Sequence, residues 1–409
     1  MKPERSTADS REGERGRATC TAALRAGLVT LGVLVCVAVG DLGWERIVPD
    51  SGLRQIILLA CCNVVVALSL NVVSGMAGQL SLGHAGFLAL GAYSAAIVAS
   101  HLHAWLGGGD PTFLRSLVVV PSALVVAAVV AGLFGFLVGL PSLRLKGDYL
   151  AIVTLGFAEI VRLVISTAQI GGAPETFAEA WSRVRVGVAA PGAFFHALGV
   201  ALAKLGGVNG YAGPGDAGVP LYAGPFWILG MTGLVFLVAW RLKWSGWGRA
   251  LRALREDEIA AAAVGVDPTR YKVTSFVLSA VGGGLAGAML ALERDGSPIV
   301  QPDNFGFGAS FDAITMVILG GSGSVTGAVL GALVVTLSVK TIELVQHTAA
   351  VSALGARFGS LDLNALRMMI YAGVLIALMI KRPEGLLGER EFGRGWRRRR
   401  VAAGTGARS

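Results

Sequence analysis

The sequence predicts an all-α integral membrane protein of about ten transmembrane segments, some of them broken or half-length. Three observations predict it. Charged residues make up 15% of the chain and hydrophobic residues 54%, with a mean hydropathy of +0.66; a soluble protein carries about 25% charged residues. There is too little polar surface here to cover a water-soluble globule. Glycine occurs 58 times, much of it inside apolar runs. In a soluble helix each such Gly costs roughly 1 kcal/mol against Ala, whereas in membrane helices small residues let backbones approach closely. Finally, the apolar runs are mostly close to the ~20 residues that a bilayer-spanning helix needs. Strict period-2 alternation is missing, which argues against an outer-membrane barrel.

Residues 1–23 are polar and mixed in charge, and read as a disordered N-terminal tail on the cytosolic side. The run Ala26 to Gly40 is short enough for a signal-peptide core. No small-x-small cleavage site follows it, so it is read as a retained first helix. Further apolar runs lie near 55–73, 84–101, 117–140, 149–168, 225–242, 273–292, 310–320, 325–343 and 366–380. The run 310–320 is too short to span alone.

Basic residues orient the segments, because cytosolic loops collect Lys and Arg. The N-terminal tail, the loop of Arg144 and Lys146, the loop 243–272 and the basic C-terminal tail 391–409 are therefore placed inside. The nearly neutral 169–224 stretch and the acidic 293–309 segment are placed outside. Parity then requires three crossings after 309, which splits 310–343 at Gly320-Gly321-Ser322-Gly323-Ser324. Both termini come out cytosolic, and 24–390 forms one transmembrane domain in the plasma (cell inner) membrane. A turn at membrane depth must be sheltered by protein or line a wet cavity, since lipid cannot hydrogen-bond its backbone.

The same requirement applies to the second break, Ser74 to His84. Asn71, Gln79, Ser81 and His84 are costly against lipid, and Gly75 and Gly78 interrupt the helix between them. Broken helices of this kind often present backbone dipoles to a transported solute. The six residues are thus candidates for a translocation pathway; a cytosolic turn with glycines serving helix packing is the alternative. Glu159 and Arg162, three apart, pair on one helix face. In the loop 243–272, Arg249, Arg252, Arg255 and Glu256 set charge along one side of a short amphipathic helix. Gly265 ends that helix and Asp267-Pro268 starts the next. Its acidic run Glu256-Asp257-Glu258 favours a protein partner over anionic lipid. Two Gly-x-x-x-Gly pairs, Gly283/Gly287 and Gly327/Gly331, are read as helix-packing sites.

No P-loop, nucleophile elbow or His-Glu-x-x-His occurs, so catalysis is not supported and the chain is read as not an enzyme. His84 has no partner at ligand spacing, and the four cysteines show no metal-site or disulfide pattern. No metal and no cofactor are expected. The net charge of +9 is read as orienting charge in contact with membrane lipid, and not as a nucleic-acid surface.

Five stretches in order resemble the LivM-type permease subunits of branched-chain amino-acid ABC importers. They are SGMAGQLSLGHAGFLALGAY, RLKGDYLAIVTLGFAEIVRL, GRALRALREDEIAAAAVGVDPTRYK, PDNFGFGASFDAITMVILGGSGSVTGAVLGA and RPEGLLG, within about residues 55–390. The resemblance implies an ABC importer permease fold and four kinds of partner: a second homologous permease subunit, two cytosolic ATPase subunits, an extracytoplasmic solute-binding protein and the lipid. Glu258 and Gly265 resemble the family's EAA-type coupling signature, so Arg249, Arg252, Glu256, Asp257, Glu258 and Gly265 become the expected ATPase-coupling residues. The implied cargo is leucine, isoleucine and valine. Urea, a short amide or another amino acid is the alternative, and an ion-coupled carrier relying on Glu159 or Asp312 is a rival class. One departure from the family pattern is an insertion near 173–205, which separates Gly171-Gly172 from Gly206-Gly207-Val208-Asn209-Gly210.

Overall fold

The computed structural model describes residues 43–44, 46–142, 148–166, 209–213 and 218–346, with 373, 380, 385–388 and 391. The predicted first helix, the Arg144/Lys146 loop, the insertion 173–205, most of the 366–380 run and the two tails lie outside the described residues. The chain divides at Ser51/Gly52 into two units. In the first, described residues form a short helical turn closed by Val48 N–H donating to the Trp44 carbonyl.

The second unit is a helical bundle. Its elements are α1 (Ser51–Leu70), running on into a π-helical turn (Asn71–Met76), α2 (His84–Trp105), α3 (Phe113–Ser142), α4 (Asp148–Ser166) and α5 (Pro225–Trp244). There follow α6 (Gly246–Glu256), α7 (Glu258–Ala263), α8 (Pro268–Leu292), a 3-10 turn (Pro302–Phe305), α9 (Phe307–Gly320) and α10 (Val325–Gln346). Two isolated bridges pair Tyr211 with Val300 and Ala223 with Glu293. Among the described residues, six helices are long and apolar enough to cross a membrane: α1 with its π-turn, α2, α3, α4, α5 and α8. These six match the predicted runs from 55 to 292. At 14 residues α9 is about 21 Å long, short of the roughly 30 Å hydrocarbon core. It is the predicted half-length segment.

Helices α1, α2 and α8 form the interior, with Leu58, Leu68, Phe87, Phe276 and Met289 fully enclosed. By contrast, α3, α4 and α5 keep broad apolar faces outward, including Leu114, Val129, Leu133, Ile160, Leu234 and Leu237. An apolar face of that size is stable against lipid and not against water.

Glycine sets how closely the interior helices pack. A Cβ at Gly287 would overlap the Leu88 carbonyl on α2, and one at Gly283 would come within 2.9 Å of the His84 ring. On the α9–α10 hairpin, a Cβ at Gly331 would overlap the Met316 carbonyl, and one at Gly327 would sit 2.5 Å from the Gly320 carbonyl. Three of the four glycines, Gly287, Gly327 and Gly331, thus stand where helix backbones nearly touch, and Gly283 makes room for the His84 ring.

The loop between α5 and α8 holds two helices and not the single one expected. Asp257 is the reason: its extended backbone ends α6, and its carboxylate accepts from the N–H groups of Ile259 (2.8 Å) and Ala260 (3.0 Å) to start α7. Gly265, in the left-handed region, then ends α7, and Asp267 caps α8 through Thr269 N–H at 3.0 Å.

Candidate functional site

Two features stand at opposite ends of α8. Near its Pro268 end, the break after α1, the α9–α10 turn and α6 meet in one knot. Near its Leu292 end, a cavity opens beneath the 293–305 loop.

The knot is built from Asn71. Its side-chain oxygen accepts from Gly323 N–H at 2.9 Å, and its amide nitrogen donates to the Ser324 carbonyl at 3.1 Å. One buried amide therefore satisfies two backbone groups of the α9–α10 turn, the shelter that such a turn requires. Gly321 and Gly323 take φ of +113° and +87° in that turn, conformations that L-residues with a Cβ avoid. The remaining polar groups are met from the C-terminal segment. Leu386 and Leu387 N–H groups donate to the last carbonyls of α9, Leu319 and Gly320. The Glu391 carboxylate accepts from Val325 and Thr326 N–H at the start of α10, while Lys243 of α5 donates to it at 2.5 Å. Burial alone pushes the Glu391 carboxyl up; Lys243, the Thr326 hydroxyl and the two backbone donors outweigh it and hold the group below its usual 4.5.

Arg255 joins α6 to this knot. Its Nη1 donates to the Gly75 carbonyl at 2.8 Å, and its side-chain carbons lie against Gly78, whose φ is +69°. A Cβ at Gly323 would come within 3.0 Å of the same Nη1. A carbonyl freed by the broken helix thus receives a charged donor from the loop helix.

The other break residues have definite neighbours. His84 is buried, bonded through Nε2 to the Ser69 hydroxyl at 2.8 Å and edge-on to Phe87. Ser81 is buried, and Gln79 keeps a buried Oε1 without a hydrogen-bond partner. At the start of α2, Ser310 of α9 accepts from Ala85 N–H at 3.1 Å. None of Asn71, Gly75, Gly78, Gln79, Ser81 or His84 lines the cavity.

That cavity, about 360 Å³, is walled by α1, α2, α8, α9 and α10. Its polar lining includes Gln55, Asn63, Glu293, Asp312, Thr336 and Lys340, and its apolar lining includes Leu59, Val66, Leu88, Leu290, Met316 and Val335. Period and composition could not show these residues to be neighbours, because they come from five helices. The loop above is pinned: Tyr211 and Val300 exchange backbone bonds of 2.9 and 3.0 Å, Tyr93 donates to the Val300 carbonyl, and Arg54 pairs with Asp295 at 3.4 Å. Arg162 of α4 bonds both Glu159, at 2.9 Å through Nε, and Asp303, at 3.1 Å. The pairing expected of Glu159 is present, which leaves that carboxylate poorly suited to carry protons.

On the α6–α7 surface the residues expected to couple to an ATPase divide. Arg249 and Arg252 turn back toward the carbonyls of Trp244, Gly248 and Lys243, and Glu258 bonds Lys272 at 2.6 Å. Glu256, Asp257 and Gly265 are exposed. So are two apolar side chains, Ile259 at 82% and Val264 at 80%. Residue type alone did not mark that pair, since a helix in a charged loop commonly carries single apolar residues. Among the described residues no cluster of His, Cys, Asp and Glu could hold a metal.

Residues 52–379 match the family described as branched-chain amino acid transport system / permease component. The chain is 34% identical over 362 residues to the high-affinity branched-chain amino acid transport system permease protein LivM of Escherichia coli (strain K12), covering 87% of this chain and 74% of that one. It is 26% identical to a probable LivM permease of Methanocaldococcus jannaschii, over 80% of this chain and 90% of the relative. To the permease LivH of Escherichia coli (strain K12) it is 26% identical over 45% of this chain and 53% of the relative. No solved structure matches. The chain is a multi-pass membrane protein that belongs to the permease-component family of branched-chain amino acid transport systems.

Proposed function

We propose that the chain forms one half of the pore of an ATP-driven importer that carries leucine, isoleucine and valine across the plasma (cell inner) membrane into the cytoplasm. A second, homologous permease supplies the other half. Two cytosolic ATPase subunits bind below, one of them docking on α6–α7, and an extracytoplasmic binding protein delivers the solute at the 293–305 end. Both termini lie in the cytoplasm. The observation that carries this reading is the Arg255–Gly75 bond, which ties the loop helix to a broken membrane helix. A push on α6 would move the break at Asn71 to His84 and the turn bonded to Asn71 together. In this reading the break is the inner gate of the pathway, and Gly78 and Gln79 are the residues the cargo passes on leaving. Exposed Ile259 and Val264, flanked by Glu256 and Asp257, supply the apolar centre and charged rim of a docking surface.

The LivM and LivH relatives, branched-chain amino acid transport system permeases by name, support the cargo class, as does the aliphatic lining of the cavity. Vesicles holding the chain with co-expressed partners and binding protein should take up labelled leucine only with ATP, and isoleucine and valine should compete. ATP-dependent uptake of urea or an amide without leucine flux would keep the importer class and replace the cargo. Uptake that survives ATP depletion and collapses with the proton gradient would overturn the importer reading.

A further inference from the structure

Glu293 stands immediately after the last residue of α8, in the wall of the cavity, and is 4% exposed. Its Oε1 is buried and has no hydrogen-bond partner. A carboxylate oxygen taken out of water with no donor is strongly unfavourable unless a cation or a proton meets it. Three neighbouring polar side chains bond elsewhere and not to this oxygen. Asn63 donates to the Thr336 hydroxyl at 2.9 Å, and that hydroxyl donates to the Ala332 carbonyl. Asp295, two residues on, pairs with Arg54. Lys340 of α10 is the cation whose field reaches Glu293, and it lines the same cavity.

The cavity thus combines an unmatched buried carboxylate oxygen, a lysine and a wall of Leu59, Val66, Leu88, Leu290, Met316 and Val335. Its volume, about 360 Å³, falls in the range of roughly 300–1,000 Å³ typical of small-molecule sites. A zwitterion with an aliphatic side chain matches all three features: an ammonium for Glu293, a carboxylate for Lys340, and a branched hydrocarbon for the wall. A neutral amide or urea lacks the cation, and a simple fatty acid does too.

We infer that this cavity is a substrate-binding site within the permease itself, in which Glu293 accepts the α-ammonium of an aliphatic amino acid and Lys340 faces its carboxylate. The inference rests on the importer reading above and adds to it a second selectivity step, after release from the binding protein. A site that requires the ammonium rejects deaminated analogues strongly, because rejection follows from leaving a buried charge unpaired.

The test is direct binding to the full-length chain in its detergent-purified complex, with no binding protein present. The probes are labelled leucine, with unlabelled leucine, 4-methylpentanoate (no ammonium) and leucinamide (no carboxylate) as competitors. Leucine should bind, and the two analogues should compete at least tenfold more weakly. Glu293→Gln should weaken leucine binding tenfold or more. Leu59→Trp, at a partly exposed position on the wall, should abolish it by filling the cavity and serves if the Gln variant fails to assemble. Absence of leucine binding by the native complex, equal competition by 4-methylpentanoate, or full binding by Leu59→Trp would each overturn the assignment. ATP-driven leucine uptake measured in parallel separates the two readings. If uptake persists while the site fails, the importer stands and this inference falls; if uptake fails as well, both fall.

Discussion

Arg255 Nη1 donates to the carbonyl of Gly75, 180 residues earlier in the chain, at 2.8 Å. The bond matters because Gly75 lies where α1 has widened to a π-turn and the next residues leave the helix altogether. Carbonyls there lose their intrahelical donors. A guanidinium meets one of them with its charge while its aliphatic stem covers Gly78, which neither a water molecule nor a neutral donor would do.

Arg255→Lys should preserve membrane insertion and complex assembly but lower ATP-driven uptake by an order of magnitude or more. Lysine keeps the charge and loses the planar fork that reaches Gly75 beside Gly323. The comparison to make is uptake per ATP hydrolysed in vesicles. Equal coupling ratios for the two proteins would remove Arg255 from the transmission route.

Asn71→Leu should destabilise the bundle by about 2–4 kcal/mol, since it deletes two hydrogen bonds and leaves Gly323 N–H and the Ser324 carbonyl buried without partners. Asn71→Asp keeps the acceptor only and should fall between. Thermal unfolding in detergent, followed by tryptophan fluorescence, ranks the three proteins.

Glu391 and Lys243 form a buried pair at 2.5 Å. Removing one partner alone, by Lys243→Met, should cost about 3 kcal/mol, and the double variant Lys243→Met/Glu391→Gln should cost less than the single. The native pKa of Glu391 is depressed, so its stabilising contribution is complete above about pH 4.5 and disappears as pH falls through the lower native value. A wild-type melting temperature that drops more steeply below pH 4.5 than that of Glu391→Gln is the expected signature.

Glu293 behaves in the opposite sense. Burial first, and then the negative charge of Asp295, push its carboxyl up to about 7, against a partial pull downward from Lys340. The native state holds this proton more tightly than the unfolded chain does, so its stability relative to a neutral residue declines as pH rises from about 4.5 to about 7. Without substrate, Glu293→Gln should therefore be more stable than wild type at pH 8, by roughly 3 kcal/mol, and near parity at pH 4.5. A site that binds a cation commonly carries such a stability deficit when empty. Identical pH profiles for the two proteins would mean that the carboxylate is better solvated than its burial indicates.

Ile259 and Val264 are exposed at 82% and 80% on α7 and its end. Replacing both with Asp leaves every hydrogen bond of the loop in place. It should abolish co-purification of ATPase subunits while the permease still reaches the membrane in normal amount. Retention of the ATPases by this variant would move the docking surface elsewhere on the loop.

Hydropathy located six spans and the half-length α9 because burying a helix in lipid imposes a length and an apolar composition that can be counted along the chain. Gly283, Gly287, Gly327 and Gly331 each sit against a neighbouring helix where an added Cβ would come within 3 Å of another atom. The caps at Asp257 and Asp267 act within three residues of themselves, so they too are local properties of the chain, although the helix break at Asp257 passed unnoticed among three consecutive acidic residues. What each polar residue touches was decided only by the tertiary structure. Asn71 and His84 were expensive against lipid, as expected, but they relieve that expense on the α9–α10 turn and on Ser69 and do not reach the cavity. Glu293 read as part of an acidic segment outside the membrane, and only the fold shows it buried at the end of α8 in the cavity wall. The physical reason is one of range. Helix formation and membrane burial are set by neighbours a few residues apart, whereas the partner of a buried polar group is fixed by which helices pack together, and here those partners lie up to 273 residues away.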